Sequence, residues 1–126
     1  MPVRYTIHKE LRLILTVGEG VVTIDEMKAH QDELLRDPNF DPNFDQLNDY
    51  TAATNAAMSG EEVRDFAWRS VFSPASRRAI IAAKPEHFGL ARVYQGHHAE
   101  RANVHAFYNR DEALKWLGIL EDSGLF

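Results

Sequence analysis

The chain has 126 residues, 44% of them hydrophobic and 10% aromatic, which suits one domain with a single core. Fourteen basic against nineteen acidic residues leave a formal charge of −5, which argues against general nucleic-acid or anionic-membrane binding, since both need a basic field. Cysteine is absent, so disulfides, thiolate nucleophiles and cysteine-based zinc sites are excluded.

Val3, Tyr5 and Ile7 alternate with Arg4, Thr6 and His8, the period of a half-buried strand. The run does not continue Met1-Pro2 as the apolar core of a signal peptide would. Leu11, Leu13, Leu15 and Val17 alternate again after only Lys9-Glu10, which predicts an antiparallel hairpin whose second strand ends at Gly18 and Gly20. Thr23 and Glu26 have the spacing of a capping box. The helix they open carries Ile24, Met27, Leu34 and Leu35 inward and stops near Arg36, because Pro38 drives Asp37 out of the helical region. The tetrapeptide Asp-Pro-Asn-Phe then appears twice, at 37–40 and 41–44, as a connector to a short strand at about 46–50.

Ser59 and Glu62 repeat the capping-box spacing, and Val63, Phe66, Ala67, Ser70 and Val71 predict an amphipathic helix ended by Ser73-Pro74. Arg78-Ala79-Ile80-Ile81-Ala82-Ala83 reads as a central strand covered on both faces, with Arg77 and Arg78 as surface charges at its N-terminal edge. Pro85 opens a helix to about residue 101, where Gly89 and Gly96 predict a close approach to the sheet or a partner. Residues 103–108 read as the last strand. Asn109 with Glu112 starts a final helix with Ala113, Leu114 and Leu117 inward and Gly118 as its C-terminal cap. No segment approaches the roughly 20 apolar residues that span a bilayer, so the expectation is a cytoplasmic domain without stable membrane insertion.

The order is ββα followed by three βα units. Right-handed crossovers then give a mixed, mainly parallel five-stranded sheet, an α/β fold of one domain over 1–126 with about four helices mainly on one face. That arrangement leaves the other face in want of a cover, and the hairpin's apolar residues at both parities, Leu13 and Ile14, suggest a second subunit or an amphipathic ligand there.

In this order, several elements resemble the SpoIIAA-like (STAS/SEC14-type) family. They are 20–26, Asp37-Pro38, Phe40-Asp41-Pro42, Gln46-Leu47-Asn48-Asp49-Tyr50, 59–67, Arg77-Arg78-Ala79-Ile80, Phe88-Gly89-Leu90-Ala91-Arg92, and 104–107 running into Glu112-Ala113-Leu114-Lys115-Trp116-Leu117-Gly118. The resemblance implies a mixed sheet and a non-catalytic, bacterial-type regulatory domain. Better-understood relatives are anti-sigma-factor antagonists that change partner when a Ser or Thr at a helix N-terminus is phosphorylated, and another arm resembles lipid-binding Sec14 domains. Their Asp-Ser-Ser-Gly-type element is not reproduced here, where Asp49 is followed by Thr51, Thr54 and Asn55 and only later by Ser59-Gly60. Ser59 therefore reads first as a helix cap, with Ser59 and Thr54 as candidate phosphoacceptors.

The C-terminal ends of parallel strands are the usual place for recognition, which singles out Asp49, Tyr50 and Thr51 together with Phe88 and Arg92 as candidate ligand- or partner-binding residues. The plain reading of Arg92 is an ion pair with Asp49. His87, His97, His98 and His105 lack metal-ligand spacing, so no metal is expected. No G-x-S-x-G elbow, dinucleotide fingerprint or phosphate loop is present, so neither a catalytic residue nor a cofactor is expected. An enzyme would need Asp49, Arg92 and a histidine to converge. The expectation is a protein-interaction domain, as a homodimer or with another protein. The alternative is a Sec14-like carrier of a lipid or small apolar molecule, with a pocket between the Pro85 helix and the sheet.

Overall fold

The computed structural model describes residues 2–97, 103–119 and 125. Strand β1 (Val3–His8) turns through a 3-10 segment (Lys9–Leu11) into β2 (Leu13–Thr23). Helix α1 (Ile24–Arg36) leads to β3 (Asp45–Ala57), then α2 (Gly60–Ala67), β4 (Arg78–Ile81), α3 (Pro85–His97), β5 (Val104–Phe107) and α4 (Arg110–Leu117). The five strands stand side by side in chain order, β1 antiparallel to β2 and the rest parallel. Among the described residues no helix is long and apolar enough to cross a membrane.

The caps read from the sequence form as expected. Thr23 and Ser59 each close a reciprocal capping box, with Glu26 and Glu62 respectively. Asn109 Oδ1 accepts from the Glu112 N–H, and Gly118 takes the left-handed conformation (φ 74°) that ends α4. The repeated tetrapeptide is a repeated turn. Asp37 Oδ1 accepts from Asn39 N, and Asp41 Oδ1 from Asn43 N, each at 2.9 Å. Phe40 and Phe44 then anchor this connector against Ile14 and Leu34.

Two strands run further than the side-chain pattern predicts. β2 passes through Gly18 and Gly20 to Thr23, and β3 continues to Ala57 beside it. The register shifts at Val17/Glu19 and Gly20/Val21 place two extra residues in β3, so the pair continues on backbone hydrogen bonds where no apolar alternation marks it. Gly18 lies under the ring of Tyr50, and a Cβ there would run into that ring. By contrast, α2 ends at Ala67, short of Ser70 and Val71, because the Ser70 hydroxyl turns to accept from Phe72 N and from the Arg78 guanidinium. Gly89 and Gly96 face open space, so the close approach expected there does not occur. Leu35, placed inward by the sequence, is 60% exposed.

Strand alternation divides the core in two. Leu13, Leu15, Leu47, Ala79 and Ile81 point to α4 and pack with Leu114, Leu117 and Leu125. Ile14, Thr16, Gln46, Asn48, Tyr50 and Ile80 point the other way, toward α1, α2 and α3. Three helices thus cover one face, and the chain's own α4 covers the second, where Leu13 and Leu47 are fully buried. The bare apolar face that suggested a second subunit is therefore already filled.

Candidate functional site

The α1–α3 face does not close completely. A partly enclosed cavity of about 100 Å³ lies between it and the sheet. Its floor comes from Gln46, Asn48 and Tyr50 of β3 and Ile80 of β4. Met27, His30 and Gln31 of α1 form one wall, and Val63 and Phe66 of α2 with Leu90, Ala91 and Tyr94 of α3 form the others. Among the described residues, the lining holds apolar and polar side chains and no Asp, Glu, Lys or Arg.

Local sequence explains why polar groups sit here. Met27 and Leu34 mark the inner stripe of α1, and His30 and Gln31 fall at the i+3 and i+4 positions after Met27, so the helix carries them inward. They are 8% and 6% exposed. Gln46, Asn48 and Tyr50 share the parity of β3 that faces the helices, opposite Leu47 and Asp49. Gln46 Nε2 donates to Thr16 Oγ1 at 2.9 Å, and Thr16 Oγ1 lies 3.0 Å from His30 Nε2. The Thr16 hydroxyl has one proton to give and two lone pairs to accept with, so beside Gln46 it pairs with His30 Nε2 in either tautomer of the ring and leaves Nδ1 facing away from it. Burial holds the His30 pKa down to about 4, so the ring is neutral at neutral pH. Burial, with the neighbouring Tyr94, also pushes the Tyr50 phenol well above its ordinary range. His87, in the first turn of α3, is buried and lines the same space.

The residues singled out from the sequence do not form one group. Asp49, Tyr50 and Thr51 are consecutive on β3, so they alternate across the sheet. Tyr50 reaches the cavity, while Asp49 lies on the α4 face, 4% exposed. Asp49 Oδ1 accepts from the Thr51 N–H and hydroxyl at 3.0 and 2.7 Å, and Asp49 Oδ2 accepts from Arg110 at 3.1 Å. The expected ion pair with Arg92 is replaced by this one, and Arg92 lies exposed on α3. Phe88 stacks on Tyr108, with ring centroids 3.8 Å apart and an interplanar angle of 11°. Ser59 caps α2, and Thr54 is exposed on the extension of β3, its carbonyl accepting from Lys84 Nζ.

Of the paired arginines, Arg77 keeps a part-exposed side chain, while Arg78 is not the surface charge expected. Arg78 is fully buried, bonded to Ser70 Oγ at 3.0 Å and set over the Phe72 ring at 5.3 Å. Arg77 donates to the carbonyls of Trp116 and Leu117 at 2.9 and 2.8 Å, closing the C-terminus of α4, and pairs with Asp45. His105 lies against the rings of Phe107 and Trp116 on the α4 face, away from His87, and the side chains of His97 and His98 lie outside the described residues. No group of three metal-ligating side chains occurs among the described residues.

Asp49 thus holds the end of the strand ladder, and its removal strands two donors and a cation. Asp49→Ala is expected to lower stability by about 2 kcal/mol in urea unfolding, whereas Arg92→Ala stays within about 0.5 kcal/mol of the parent.

No family model and no curated protein matches the chain. Among solved structures, it is similar to an uncharacterized protein of the DUF3478 family with a SpoIIAA-like fold from Shewanella loihica PV-4. The two superpose with a TM-score of 0.57 at 16% identity, over 91% of each chain. Strand order, the antiparallel β1 and the four helices agree with that likeness, and the chain has a SpoIIAA-like α/β fold.

Proposed function

We propose that the domain is a non-catalytic binder of a small, mainly apolar molecule held between the sheet and helices α1–α3. The observation that carries this reading is the cavity itself, partly enclosed, about 100 Å³, and walled by Met27, Val63, Phe66 and Leu90 without a formal charge. An apolar cavity of about 150 Å³ takes benzene, so this smaller one, open on one side, takes at most a ring-sized group rather than the chains of a bilayer lipid. The methionines add adaptable walls, since thioether side chains repack around different shapes. The groups a reaction would need lie apart: Asp49 is on the α4 face, Arg92 is exposed on α3, and the buried histidines His30 and His87 line the cavity.

Two of the three methionines, Met27 and Met58, line the cavity, so their ε-methyl groups report directly on its contents. With ¹³C-methyl-methionine protein, titration with toluene is expected to shift both signals in a saturable way. Ala91→Phe, which fills the cavity, abolishes those shifts. Signals of Met27 and Met58 that stay put up to the solubility of toluene contradict the reading.

A second reading, contact with another protein, has its own support in Trp68 and Leu35, which are 68% and 60% exposed. These apolar surfaces suit a partner protein more readily than the filled α4 face does. Sedimentation equilibrium across concentration separates self-association at these residues from a monomer: Trp68→Glu lowers any association, and a concentration-independent monomer mass removes the homodimer.

A further inference from the structure

We infer that the molecule bound in this cavity carries an uncharged hydrogen-bonding head of the primary-amide class, seated against His30 and Gln31, with its apolar body toward Met27 and Phe66. The inference rests on the ligand-binding reading above and narrows it to a chemical class.

Two observations converge on it. First, among the buried side-chain atoms without a protein partner are His30 Nδ1 and Gln31 Oε1, and both residues line the cavity. His30 Nδ1 donates or accepts according to the tautomer that pairs with Thr16 Oγ1, while Gln31 Oε1 is an acceptor. Two buried polar atoms with nothing to bond each cost free energy of folding, and native interiors seldom tolerate such a pair without a use. A primary amide offers the complement of both in either tautomer: its carbonyl accepts from an Nδ1–H, or its second N–H donates to a bare Nδ1, while an N–H serves the glutamine carbonyl. An apolar ligand would leave both orphaned.

Second, the cavity has no Asp, Glu, Lys or Arg among its described lining residues. An ionised carboxylate or ammonium placed there would lose its hydration without a carboxylate, ammonium or guanidinium of the protein to replace it. Three cationic side chains close to the lining in sequence are engaged elsewhere: Arg69 pairs with Asp32, Lys84 with the Thr54 carbonyl, and Arg78 with Ser70 and Ser76. Selectivity for a neutral head over an anion of the same shape follows.

The test uses benzamide, benzoate and toluene, which share a ring and differ in the head. Binding is read at neutral pH from the Met27 and Met58 ε-methyl shifts of the full chain. Benzamide is expected to bind at least tenfold more tightly than either benzoate or toluene. His30→Leu and Gln31→Leu are each expected to remove its advantage over toluene while toluene binding persists, so persistence of toluene binding also reports an intact fold. Benzoate binding as tightly as benzamide overturns the inference, and so does benzamide binding no better than toluene, although the cavity reading stands in both cases. Failure of all three probes to move either methyl overturns the cavity reading and this inference with it.

Discussion

Arg78→Ala is expected to be the most damaging single substitution in the domain, lowering stability by about 3 kcal/mol or more. The side chain is fully buried at the start of β4, and its loss removes the bonds to Ser70 Oγ and the Ser76 carbonyl along with its packing on Phe72. Phe72 is itself a wall of the cavity, and Ser70 shapes the chain just beyond α2, so the damage reaches the candidate site. Arg78→Lys is expected to recover only part of the loss, because an ammonium has neither the planar surface that lies on Phe72 nor the fork that reaches two oxygens. Chemical denaturation of the two variants measures both effects. An Arg78→Ala protein within about 1 kcal/mol of the parent contradicts the buried placement.

Acid weakens the fold through His30. In the unfolded chain this histidine titrates near 6.5, and in the fold burial lowers its pKa to about 4. Between those values the unfolded state binds more protons, so stability falls as the pH drops through that window and is unaffected by His30 above it. A shift of that size corresponds to about 3 kcal/mol by pH 4. The ring faces Thr16 of β2 and, at 5.2 Å, the Tyr5 ring of β1, whose phenol stays protonated because burial and Asp37 raise its pKa to about 12. His30→Gln keeps a hydrogen-bonding side chain that does not titrate. The difference in stability between parent and variant should therefore shrink by about 3 kcal/mol in the parent's disfavour between pH 7 and pH 4, with the carboxylates common to both cancelling. A pH-independent difference would show that His30 is exposed or already protonated in the fold.

Much of the architecture was legible because it rests on local chemistry. Thr23 with Glu26, Ser59 with Glu62 and Asn109 with Glu112 mark helix starts by a bond that depends on neighbours three residues apart. The apolar run around Ile80 marks the central strand because both faces there are buried. The extension of β2 and β3 was not legible, because Ala52 to Ala57 pair through the backbone across two bulges and carry no alternation to read.

The site was harder to read for the same reason that made the fold easy. Asp49, Tyr50 and Thr51 look like a cluster when taken as neighbours in sequence, but the two-residue period of a strand sends them to opposite faces. That period, applied to Gln46, Asn48 and Tyr50, picks out the polar floor of the cavity, and the helical period applied to Met27, His30, Gln31 and Leu34 picks out its wall. Polar residues on an inward stripe were the available signal. Arg78 gave no such sign, since its burial depends on Ser70 and Phe72, which only the turn after α2 brings beneath it.

A crystal structure of the protein grown with benzamide at saturating concentration tests the amide site most directly. The expected result is the ring between Met27 and Phe66 and the carboxamide within hydrogen-bond distance of His30 Nδ1 and Gln31 Oε1, with the sheet unchanged. A cavity closed by its own side chains, with no benzamide between α1 and β3, would contradict it.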